Sequence, residues 1–375
     1  MKIFPTLKNA KTNPIKPNSS PKTGIDAIRN VQYDIRDMFE KISIIGDGAM
    51  GTVLAMLLCE KRDSSASLGM TVRMWGYDRE QLKQIEQNRE NKKFLPGYQL
   101  PAALAFEPED ERIMTGADLV VSAVPCQFMR SAWERLQSYT PRDVPIVSVA
   151  KGIENDTLLR PTQILTDVLG KEIECAVLSG PTISDELARK LPAVACAASR
   201  YEQLARQVQH TFSVPWLRVY TNADIVGVEL AAACKNIIAI AAGIIDGMGL
   251  GDNAKAALLS RGLAEITRLG TACGAKPQTF AGLTGLGDLV TTCISPKGRN
   301  RSFGERVGKG QSVEKAQKAT ESVIEGITTC KSVIALASRY DVEMPITHAV
   351  YEVLFEGKSV HTAINNLMKR RLKAE

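Results

Sequence analysis

Lys41-Ile-Ser-Ile-Ile-Gly-Asp-Gly-Ala-Met-Gly-Thr52 is the stretch of sequence that decides the predicted fold. Residues 41–45 predict a short buried strand, and Gly46, Gly48 and Gly51 follow at the spacing G-x-G-x-x-G. Gly46 suits a tight turn, Gly48 lets a pyrophosphate approach the backbone, and Gly51 lets the next helix pack closely on the strand. The free N–H groups at the start of that helix attract phosphate. A glycine-rich turn without a ligand is the alternative, but the flanking strand and helix favour a dinucleotide site.

Strand and helix patterns alternate after this turn. The repeated alternation predicts an α/β fold with a doubly wound, Rossmann-type parallel sheet, whose ligands bind at the carboxyl ends of the strands. We therefore expect the loops at Gly46, Trp75, Pro125, Lys151 and Gly180 to share one rim. The predicted strands are 41–45, 71–75, 119–124, 144–149, 175–178, 193–198 and 217–220, and the predicted helices among them are 49–58 and 79–91.

The pattern becomes all-helical near Asn222. A long apolar helix is predicted over 224–248, and its three polar residues, Glu229, Lys235 and Asn236, leave too short a stretch to span a bilayer, so no membrane insertion is expected. Further helices are predicted at 254–270, 328–340, 346–355 and 360–371. The predicted organisation is therefore a tail over 1–38 with a short lead-in helix from Asp26, a dinucleotide-binding domain over 39–222, and an all-helical domain over 223–375.

Composition excludes several classes of function. The net charge of +6 is modest for 375 residues, and without interleaved aromatic and basic residues it does not predict a nucleic-acid surface. Eight cysteines without C-x-x-C spacing indicate reduced thiols in the cytoplasm, and three histidines give no zinc pattern, so no metal is expected. Residues 1–24 carry five lysines and no acid, which predicts a disordered basic tail, with an organelle address as the alternative.

Two lysines stand in positions that suit catalysis. Lys235 lies in the apolar run Ala-Ala-Ala-Cys-Lys-Asn-Ile-Ile, where burial would lower its pKa and allow proton exchange near neutral pH. A structural ion pair, for example with Glu229, explains the same residue equally well. Lys151 follows a predicted strand and precedes a glycine, so its charge should face the ligand crevice.

Two polar clusters follow in the helical part. Residues 282–288 form a glycine-rich turn that ends in Asp288, and residues 297–301, Lys-Gly-Arg-Asn-Arg, form a basic loop. Arg299 and Asn300 could hold a phosphate, because a guanidinium binds it with two hydrogen bonds. A merely solvated charged loop is the alternative, which the dinucleotide turn and the two lysines disfavour.

Eight motifs in order resemble one family. The motifs are Gly46-Asp-Gly-Ala-Met-Gly-Thr52, Trp75-Gly-Tyr-Asp78, Ala150-Lys-Gly-Ile-Glu154, Ser179-Gly-Pro-Thr182, Ala233-Cys-Lys-Asn236, Gly285-Leu-Gly-Asp288, Arg299-Asn-Arg301 and Val323-Ile-Glu-Gly326. With these motifs, from about residue 41 to 369, the chain resembles bacterial-type NAD(P)-dependent glycerol-3-phosphate dehydrogenases, and the resemblance implies for the domains that residues 39–222 bind NAD(P) and residues 223–375 bind the substrate.

The resemblance implies interconversion of sn-glycerol 3-phosphate and dihydroxyacetone phosphate with NAD or NADP, for phospholipid precursor synthesis. It implies that Lys235 is the catalytic acid and base, and that Asp288 holds the substrate hydroxyls or orients Lys235. The substrate contacts that it implies are Lys151, Gly180, Thr182, Asp288, Gly298, Arg299 and Asn300. The cofactor contacts that it implies are Gly46, Gly48, Ala49, Met50, Gly51, Tyr77, Lys151, Ser184, Arg299, Val323 and Glu325.

Three positions depart from the family pattern. Asp47 places a carboxylate between the first two glycines, and we expect it to point away from the pyrophosphate. Ala49 stands where the family often has Ser or Asn, so a side-chain contact to the cofactor is lost. Gly298 stands where Ser is frequent, which leaves only its backbone N–H for the substrate.

The end of the second strand bears on the choice of cofactor. A site selective for NAD usually has an acid there, which bonds the ribose hydroxyls. Here the strand ends at Trp75 and Gly76, with Asp78 and Arg79 beyond. Without the acid and with an arginine nearby, we expect use of NADPH as well as NADH, with catalytic efficiencies that differ by less than about a thousandfold.

Two other functions remain open at this stage. One is a related dehydrogenase of another small hydroxy acid, since this two-domain plan serves several substrates. The other is a dinucleotide-sensing module without catalysis, for which a DNA-binding appendage or loss of the buried lysine would be expected. The apolar helical domain is compatible with a homodimer.

Overall fold

An eight-stranded sheet is formed by residues between Lys41 and Asn222. The structure, a computed structural model, describes residues 39–64, 70–320 and 323–372, with the backbone alone for 62–64. The predicted tail over 1–38 lies outside the described residues. The strands are β1 (Lys41–Ile45), β2 (Thr71–Trp75), β3 (Leu104–Phe106), β4 (Leu119–Ser122), β5 (Ile146–Ser148), β6 (Cys175–Ser179), β7 (Ala193–Ser199) and β8 (Leu217–Asn222).

The strand order is β3-β2-β1-β4-β5-β6-β7-β8, and the pairs from β3 to β6 are parallel. The chain runs outward from β1 to β3 and then returns to β4 on the other side of β1. This reversal is the topological switch point at which open α/β sheets bind ligands. The doubly wound architecture is thereby confirmed, and the ends of β1, β2, β4, β5 and β6 lie along one rim.

One strand departs from the predicted parallel sheet. β7 pairs with β6 in the antiparallel sense, and β8 is parallel to β7. A parallel neighbour needs a crossover across the face of the sheet, usually through a helix. The link between β6 and β7 contains only the five-residue helix Ser184–Ala188, so the chain turns back beside β6.

Helices cover both faces of this sheet. β4 and β6 are buried along their whole length, as expected for strands covered on both sides. The helices are α1 (Ala49–Ser64), α2 (Arg79–Asn88), α3 (Asp110–Met114), α4 (Cys126–Leu136), α5 (Pro161–Leu169), α6 (Ser184–Ala188) and α7 (Glu202–Phe212).

The described chain is helical from Ile225 onward, so the change from sheet to helices falls where the sequence predicts it. The helices are α8 (Ile225–Met248), α9 (Gly251–Ala272), α10 (Pro277–Ala281), α11 (Asp288–Ile294), α12 (Arg299–Gly308), α13 (Val313–Lys318), α14 (Glu325–Arg339), α15 (Pro345–Phe355) and α16 (Val360–Met368). A π-helical turn, Leu283–Gly287, leads into α11.

Most residues of α8 are buried, and the other helices pack around it. Its length and composition would suffice to cross a membrane, so the sequence argument that its polar residues make it too short was wrong. Its apolar stretch is, however, entirely buried inside the protein, as in the core helix of a folded domain. Among the described residues α8 is the one helix with these properties.

Glycines bring α8 and α12 into backbone contact. A Cβ on Gly304 would lie 2.0 Å from the Ile240 carbonyl oxygen, and one on Gly243 would lie 2.0 Å from the Arg301 carbonyl oxygen. Side chains larger than hydrogen cannot occupy these positions without separating the helices. The contact fixes the first residues of α12 beside the middle of α8, where Lys235 stands.

The predicted elements are confirmed with shifted ends. The predicted helix over 79–91 ends at Asn88, because Arg89 adopts a left-handed conformation with φ of 49°. The predicted strand over 144–149 is shorter, at Ile146–Ser148. The three-residue β3 was not predicted. Phe39 and Glu40, the described end of the predicted lead-in helix, are not helical.

Candidate active site

The glycine turn after β1 has the geometry that the spacing predicts. Gly46 has φ of +115°, and a Cβ there would lie 2.8 Å from the backbone of Ala123, at the end of β4. A Cβ on Gly51 would lie 2.1 Å from the Gly46 carbonyl oxygen, so only glycine lets α1 begin this close to the turn. Around Gly48, no heavy atom of the described residues lies within 4 Å of a Cβ position, which leaves room for a phosphate. The first turn of α1 has no acid that would repel one.

Lys235 is buried at the middle of α8, with 5% of its surface exposed. Its Nζ lies 2.6 Å from Asp288 Oδ1 and donates a second hydrogen bond to Thr292 Oγ1, at 2.5 Å. Burial lowers the pKa of Lys235 to about 8, although the charge of Asp288 opposes this effect. Lys235 is therefore an ammonium at neutral pH that can lose its proton at little cost.

Asp288 joins Lys235 to Lys151. Its Oδ2 lies 2.8 Å from Lys151 Nζ, which also donates to the Gly180 carbonyl oxygen at 3.0 Å. Burial opposes the ionisation of Asp288, but the charges of Lys151 and Lys235 hold its pKa below its usual value. The site thus contains one carboxylate between two ammonium groups, with a net positive charge that suits an anionic substrate.

The alternative ion pair between Lys235 and Glu229 is wrong. Glu229 is buried and pairs with Arg160, and it accepts hydrogen bonds from the Thr162 N–H and hydroxyl at 2.8 Å each. Its carboxylate is thus committed to the start of α5. Lys235 shares the carboxylate of Asp288 instead.

Gly180 and Thr182 lie beside this cluster, after β6. Gly180 has φ of +140°, and a Cβ there would lie 3.1 Å from the Ala195 Cα of β7. Its carbonyl accepts from Lys151 and from the Thr182 hydroxyl, at 3.2 Å. Met50, Lys151 and Thr182 line one small cavity, which connects the start of α1 with Lys151.

The basic loop forms the start of α12. Gly298 precedes the helix, Arg299 is exposed, and Asn300 is buried. The Asn300 amide donates to Asn236 Oδ1 at 3.0 Å and accepts from the Gly326 N–H at 2.9 Å. Asn300 therefore ties α12 to α8 and α14, a structural role that the sequence did not predict. Lys297, two residues before the first residue of α12, pairs with Asp185 in α6.

Glu325 at the start of α14 is half-buried as a residue, but one oxygen of its carboxyl group, Oε2, is buried. Its Oε2 has no hydrogen-bond partner among the described residues. Burial raises the pKa of Glu325 to about 7, although Arg299, Lys151 and Lys235 lower it. A buried acceptor without a partner beside three cations is a position that a polar ligand would satisfy. Together with the open space at Gly48, it indicates that the residues present fit a dinucleotide.

Two models of one known protein family match the sheet part and the helical part of this chain. The family model described as the NAD-dependent glycerol-3-phosphate dehydrogenase N-terminus matches residues 41–205, and the model of the C-terminus matches residues 224–365. The chain belongs to the NAD-dependent glycerol-3-phosphate dehydrogenase family. The resemblance drawn from the eight motifs is thereby confirmed.

Individual relatives agree over nearly their whole length. The glycerol-3-phosphate dehydrogenase [NAD(P)+] of Chlorobium phaeobacteroides is 45% identical over 337 residues, which cover 89% of this chain and 99% of that protein. A second such enzyme, of Mycobacterium tuberculosis H37Rv, is 46% identical over 335 residues, covering 89% and 98%. The crystal structure of glycerol-3-phosphate dehydrogenase (gpsA) from Coxiella burnetii has a TM-score of 0.83 at 35% identity and covers 88% of this chain and 99% of that chain.

Three of the four remaining cofactor positions predicted from this dehydrogenase family follow strands of the sheet. Ala49 is the first residue of α1, after β1, and Ser184 is the first residue of α6, after β6. The fourth, Val323, lies two residues before α14 in the helical part. Tyr77 follows β2 and is 63% exposed, with its ring edge-on to Trp75 at 6.2 Å. An exposed aromatic ring at this rim leaves a face open for a ligand.

Sequence reasoning missed Thr292. Its hydroxyl accepts from Lys235 and lies 3.2 Å from Asp288 Oδ1, so it completes a triangle around the ammonium. Thr292 stands four residues after Asp288 on α11, and this spacing places both side chains on one helix face. The spacing is the signal by which it could have been found.

Proposed function

We propose that this chain catalyses the reversible reduction of dihydroxyacetone phosphate to sn-glycerol 3-phosphate with NADH or NADPH. The observation that carries the proposal is the buried Lys235 ammonium, which shares Asp288 with Lys151. The two lysines come from different parts of the fold: Lys151 follows β5, and Lys235 lies in α8. The substrate is inferred from the names of the relatives, and the role of proton donor is inferred from the buried ammonium.

Lys235 is the general acid in this proposal. The C2 oxygen of the ketone gains negative charge during reduction, and a buried ammonium stabilises that charge and donates its proton. In the reverse direction the neutral amine of Lys235 accepts the proton of the C2 hydroxyl. The bound nicotinamide supplies the hydride for reduction and accepts it in oxidation.

Asp288, Thr292 and Lys151 prepare Lys235 for this step. Asp288 and Thr292 hold its Nζ in one place with two hydrogen bonds. Lys151, fixed between Asp288 and the Gly180 carbonyl, adds a second positive charge for cofactor and substrate. Gly180 and Thr182 line the position of the substrate carbons in this assignment.

The start of α12 receives the substrate phosphate in the proposal. The exposed guanidinium of Arg299 and the amide of Asn300 are its donors, and the helix start adds partial positive charge. The Gly298 N–H, which was expected to contact the substrate, donates to the Ser295 carbonyl oxygen at 3.1 Å and would have to leave it to bind the phosphate. The phosphate is remote from C2, so its binding energy orients the reacting atoms. With the amide of Asn300 bonded to Asn236 and Gly326, Arg299 carries most of the charge recognition.

The cofactor assignment follows the rim of the sheet. Residues 39–222 form the NAD(P)-binding domain and residues 223–375 the helical substrate-binding domain. The residues assigned to the cofactor are Gly46, Gly48, Ala49, Met50, Gly51, Tyr77, Lys151, Ser184, Arg299, Val323 and Glu325.

The proposed setting is the cytoplasm, where the product supplies phospholipid synthesis. All eight cysteines lie in the described part of the chain and none forms a disulfide, which supports a reducing compartment. An address to an organelle in residues 1–38 is the alternative. The proposed partner is the small-molecule substrate rather than nucleic acid or membrane, and the proposed assembly is a homodimer.

The deciding experiment is reduction of dihydroxyacetone phosphate by the purified protein, followed as loss of NADH absorbance. Lys235→Ala is expected to lower turnover by about 10²- to 10⁴-fold, while NADH binding, measured by fluorescence titration, is unchanged. Lys276→Ala removes the same charge from an exposed position of the helical part and serves as the matched control.

Three outcomes would contradict the proposal. Full turnover by Lys235→Ala would remove the lysine from the chemistry. Turnover of an unphosphorylated hydroxy acid in preference to glycerol 3-phosphate would favour the related-dehydrogenase function. Cofactor binding by the wild-type protein without turnover of either substrate would favour a sensing module.

A further inference from the structure

Asp47, the acid between the first two glycines, has a definite position at the rim. Its Oδ2 accepts a hydrogen bond from Gln81 Nε2 of α2 at 2.6 Å. A Cβ on Gly76 would lie 3.0 Å from the same oxygen, so the carboxylate rests against the end of β2. The register of the two strands explains this contact, because Ile45 at the end of β1 pairs with Trp75 at the end of β2, and the residues after both strands leave the sheet side by side. The carboxylate therefore points toward the end of β2.

The backbone of Asp47 is held by buried residues. Its carbonyl oxygen accepts from Asn91 Nδ2 at 2.7 Å, and the same amide group donates to Thr52 Oγ1 at 2.8 Å. Asn91 and Thr52 are both fully buried. The carboxylate is therefore presented in a fixed place before any ligand arrives.

In dinucleotide-binding sheets, the residues at the end of the second strand determine the choice between NAD and NADP. An acid at the end of the second strand bonds the ribose hydroxyls of NAD, and an arginine nearby accommodates the 2′-phosphate of NADP. In this chain β2 ends in Trp75 and Gly76, which have no acidic group. Asp47 brings a carboxylate to the same point from the neighbouring strand.

The cations nearby are engaged elsewhere. Arg79 makes two hydrogen bonds to the carboxylate of Glu109, at 3.1 and 3.2 Å. Lys93 donates to Gln81 Oε1 at 3.1 Å, and thus supports the side chain that holds Asp47. The guanidinium of Arg135 stacks on the rings of Trp75 and Tyr77, at 5.0 and 5.4 Å, and pairs with Asp110. The sequence argument assigned Arg79 to a 2′-phosphate, but in the structure both arginines are paired with carboxylates, whereas the carboxylate of Asp47 rests against Gly76.

We propose that Asp47 is the residue that sets cofactor preference, by replacing the missing acid at the end of β2. Its carboxylate accepts from the ribose hydroxyls of NADH and repels the 2′-phosphate of NADPH. The enzyme uses both cofactors and ranks NADH first. This inference rests on the proposed function only in assuming that the rim binds a nicotinamide dinucleotide.

The test is cofactor binding without substrate. Dissociation constants for NADH and NADPH are measured by fluorescence titration of the wild-type protein and of Asp47→Asn, which removes the charge and keeps the shape. We expect the wild-type protein to bind NADH at least about tenfold more tightly than NADPH, and we expect Asp47→Asn to shift that ratio by about tenfold or more toward NADPH.

Asp78→Asn is the matched control. It removes the same charge from the adjacent turn, but Asp78 Oδ1 is already used by the N–H groups of Glu80 and Gln81, at 3.0 and 3.2 Å. The ratio of the two dissociation constants is expected to stay at its wild-type value. An equal shift in both variants would mean that overall charge sets the preference, and would overturn the assignment to Asp47.

Two further results would overturn the inference. One is a wild-type protein that binds NADPH as tightly as NADH, a measurement that does not depend on the folding of a variant. The other is an Asp47→Asn protein with an unchanged ratio and normal NADH affinity. Because no substrate is present, a shifted ratio in a protein that fails to reduce dihydroxyacetone phosphate would support Asp47 while defeating the proposed reaction.

Discussion

At the scale of single residues, the pKa of Lys235 predicts opposite pH dependences for the two directions of reaction. Burial lowers this pKa to about 8, against the opposing charge of Asp288. Reduction needs the ammonium, so kcat/KM for dihydroxyacetone phosphate should be level near neutral pH and fall above about pH 8. Oxidation of glycerol 3-phosphate needs the neutral amine, so its kcat/KM should rise through the same range. Steady-state rates measured in both directions across this range check the prediction.

The fall of the reduction rate and the rise of the oxidation rate over this pH range form one limb of the pH profile. Two variants identify the group whose titration causes this limb. Asp288→Asn removes the countercharge, so the limb should move to lower pH in both directions. Glu325 is the other group of the site with a pKa near neutrality, at about 7. Its interaction with Lys235 is the smallest of the influences on that pKa, so Glu325→Gln should move the limb far less than Asp288→Asn does. If the limb stayed in place in Asp288→Asn but disappeared in Glu325→Gln, the titrating group would be Glu325 and the assignment to Lys235 would be wrong.

Arg299 predicts how much of the specificity lies in the phosphate. Arg299→Ala should lower kcat/KM for dihydroxyacetone phosphate by about tenfold to a hundredfold, because a hydrogen bond to a charged group contributes about 1.5–3 kcal/mol. At saturating NADH, which removes any loss that comes from the cofactor contact of Arg299, the slow reduction of unphosphorylated dihydroxyacetone should be unaffected. Arg306→Ala, a change of the same kind in the last turn of α12, is the control. Equal losses with both ketones would show that Arg299 does not contact the phosphate.

At the scale of elements, the contact between α8 and α12 predicts a stability effect. Gly304→Ala would place a methyl group 2.0 Å from the Ile240 carbonyl oxygen, so the helices must separate. The free energy of unfolding should fall by about 1–3 kcal/mol, the usual effect of overpacking, in denaturant titrations.

Gly287→Ala is the control for this substitution. Its nearest neighbour, the Gly282 carbonyl oxygen, would lie at 3.8 Å, an ordinary contact. The change in stability should stay within about 0.5 kcal/mol, as for substitutions away from packed sites. A Gly304→Ala protein as stable as this control would mean that α12 can shift freely, and would weaken its role in placing the phosphate site.

The sequence predicted best those elements whose conformation is determined by residues close together in the chain. The turn at Gly46 was predicted because its backbone conformation depends on three glycines within six adjacent residues, which the sequence shows directly. The rim was predicted because parallel strands place their ends together whatever lies between them. β3 was missed because three residues carry too little alternation to distinguish a strand from a loop.

Pairings between distant residues could not be predicted in the same way. Glu229 and Arg160 are 69 positions apart, and no periodic pattern connects them. Asn300 looked like a free phosphate ligand because its bonds to Asn236 and Gly326 arise only when α8, α12 and α14 pack together. The direction of β7 likewise depends on the path of one short connection. Such features belong to tertiary packing, which a single sequence does not display.

At the scale of the whole molecule, buried carboxylates join the sheet to the helices. Asp288 of α11 holds Lys151, which follows β5, and Glu229 of α8 holds Arg160 at the start of α5. The first pair belongs to the proposed catalytic group and the second lies outside it. The active site is therefore part of the contact that keeps the two parts of the fold together, and the second pair can be tested without altering the first.

Glu229→Gln should destabilise the whole fold without changing the catalytic limb. The substitution leaves the buried Arg160 guanidinium without its countercharge, and breaking such a pair usually costs about 3–5 kcal/mol. Glu202→Gln breaks the exposed pair of Glu202 and Arg206, whose side chains are 78% and 64% exposed, and should cost less than about 1 kcal/mol. Denaturant titrations give both values, and pH profiles of the two variants should keep the wild-type limb, because Lys235 shares no bond with Glu229. If Glu229→Gln were as stable as Glu202→Gln, the pair could not be what fixes α8 against α5. If it instead moved the limb, Glu229 would belong to the electrostatic environment of Lys235 after all.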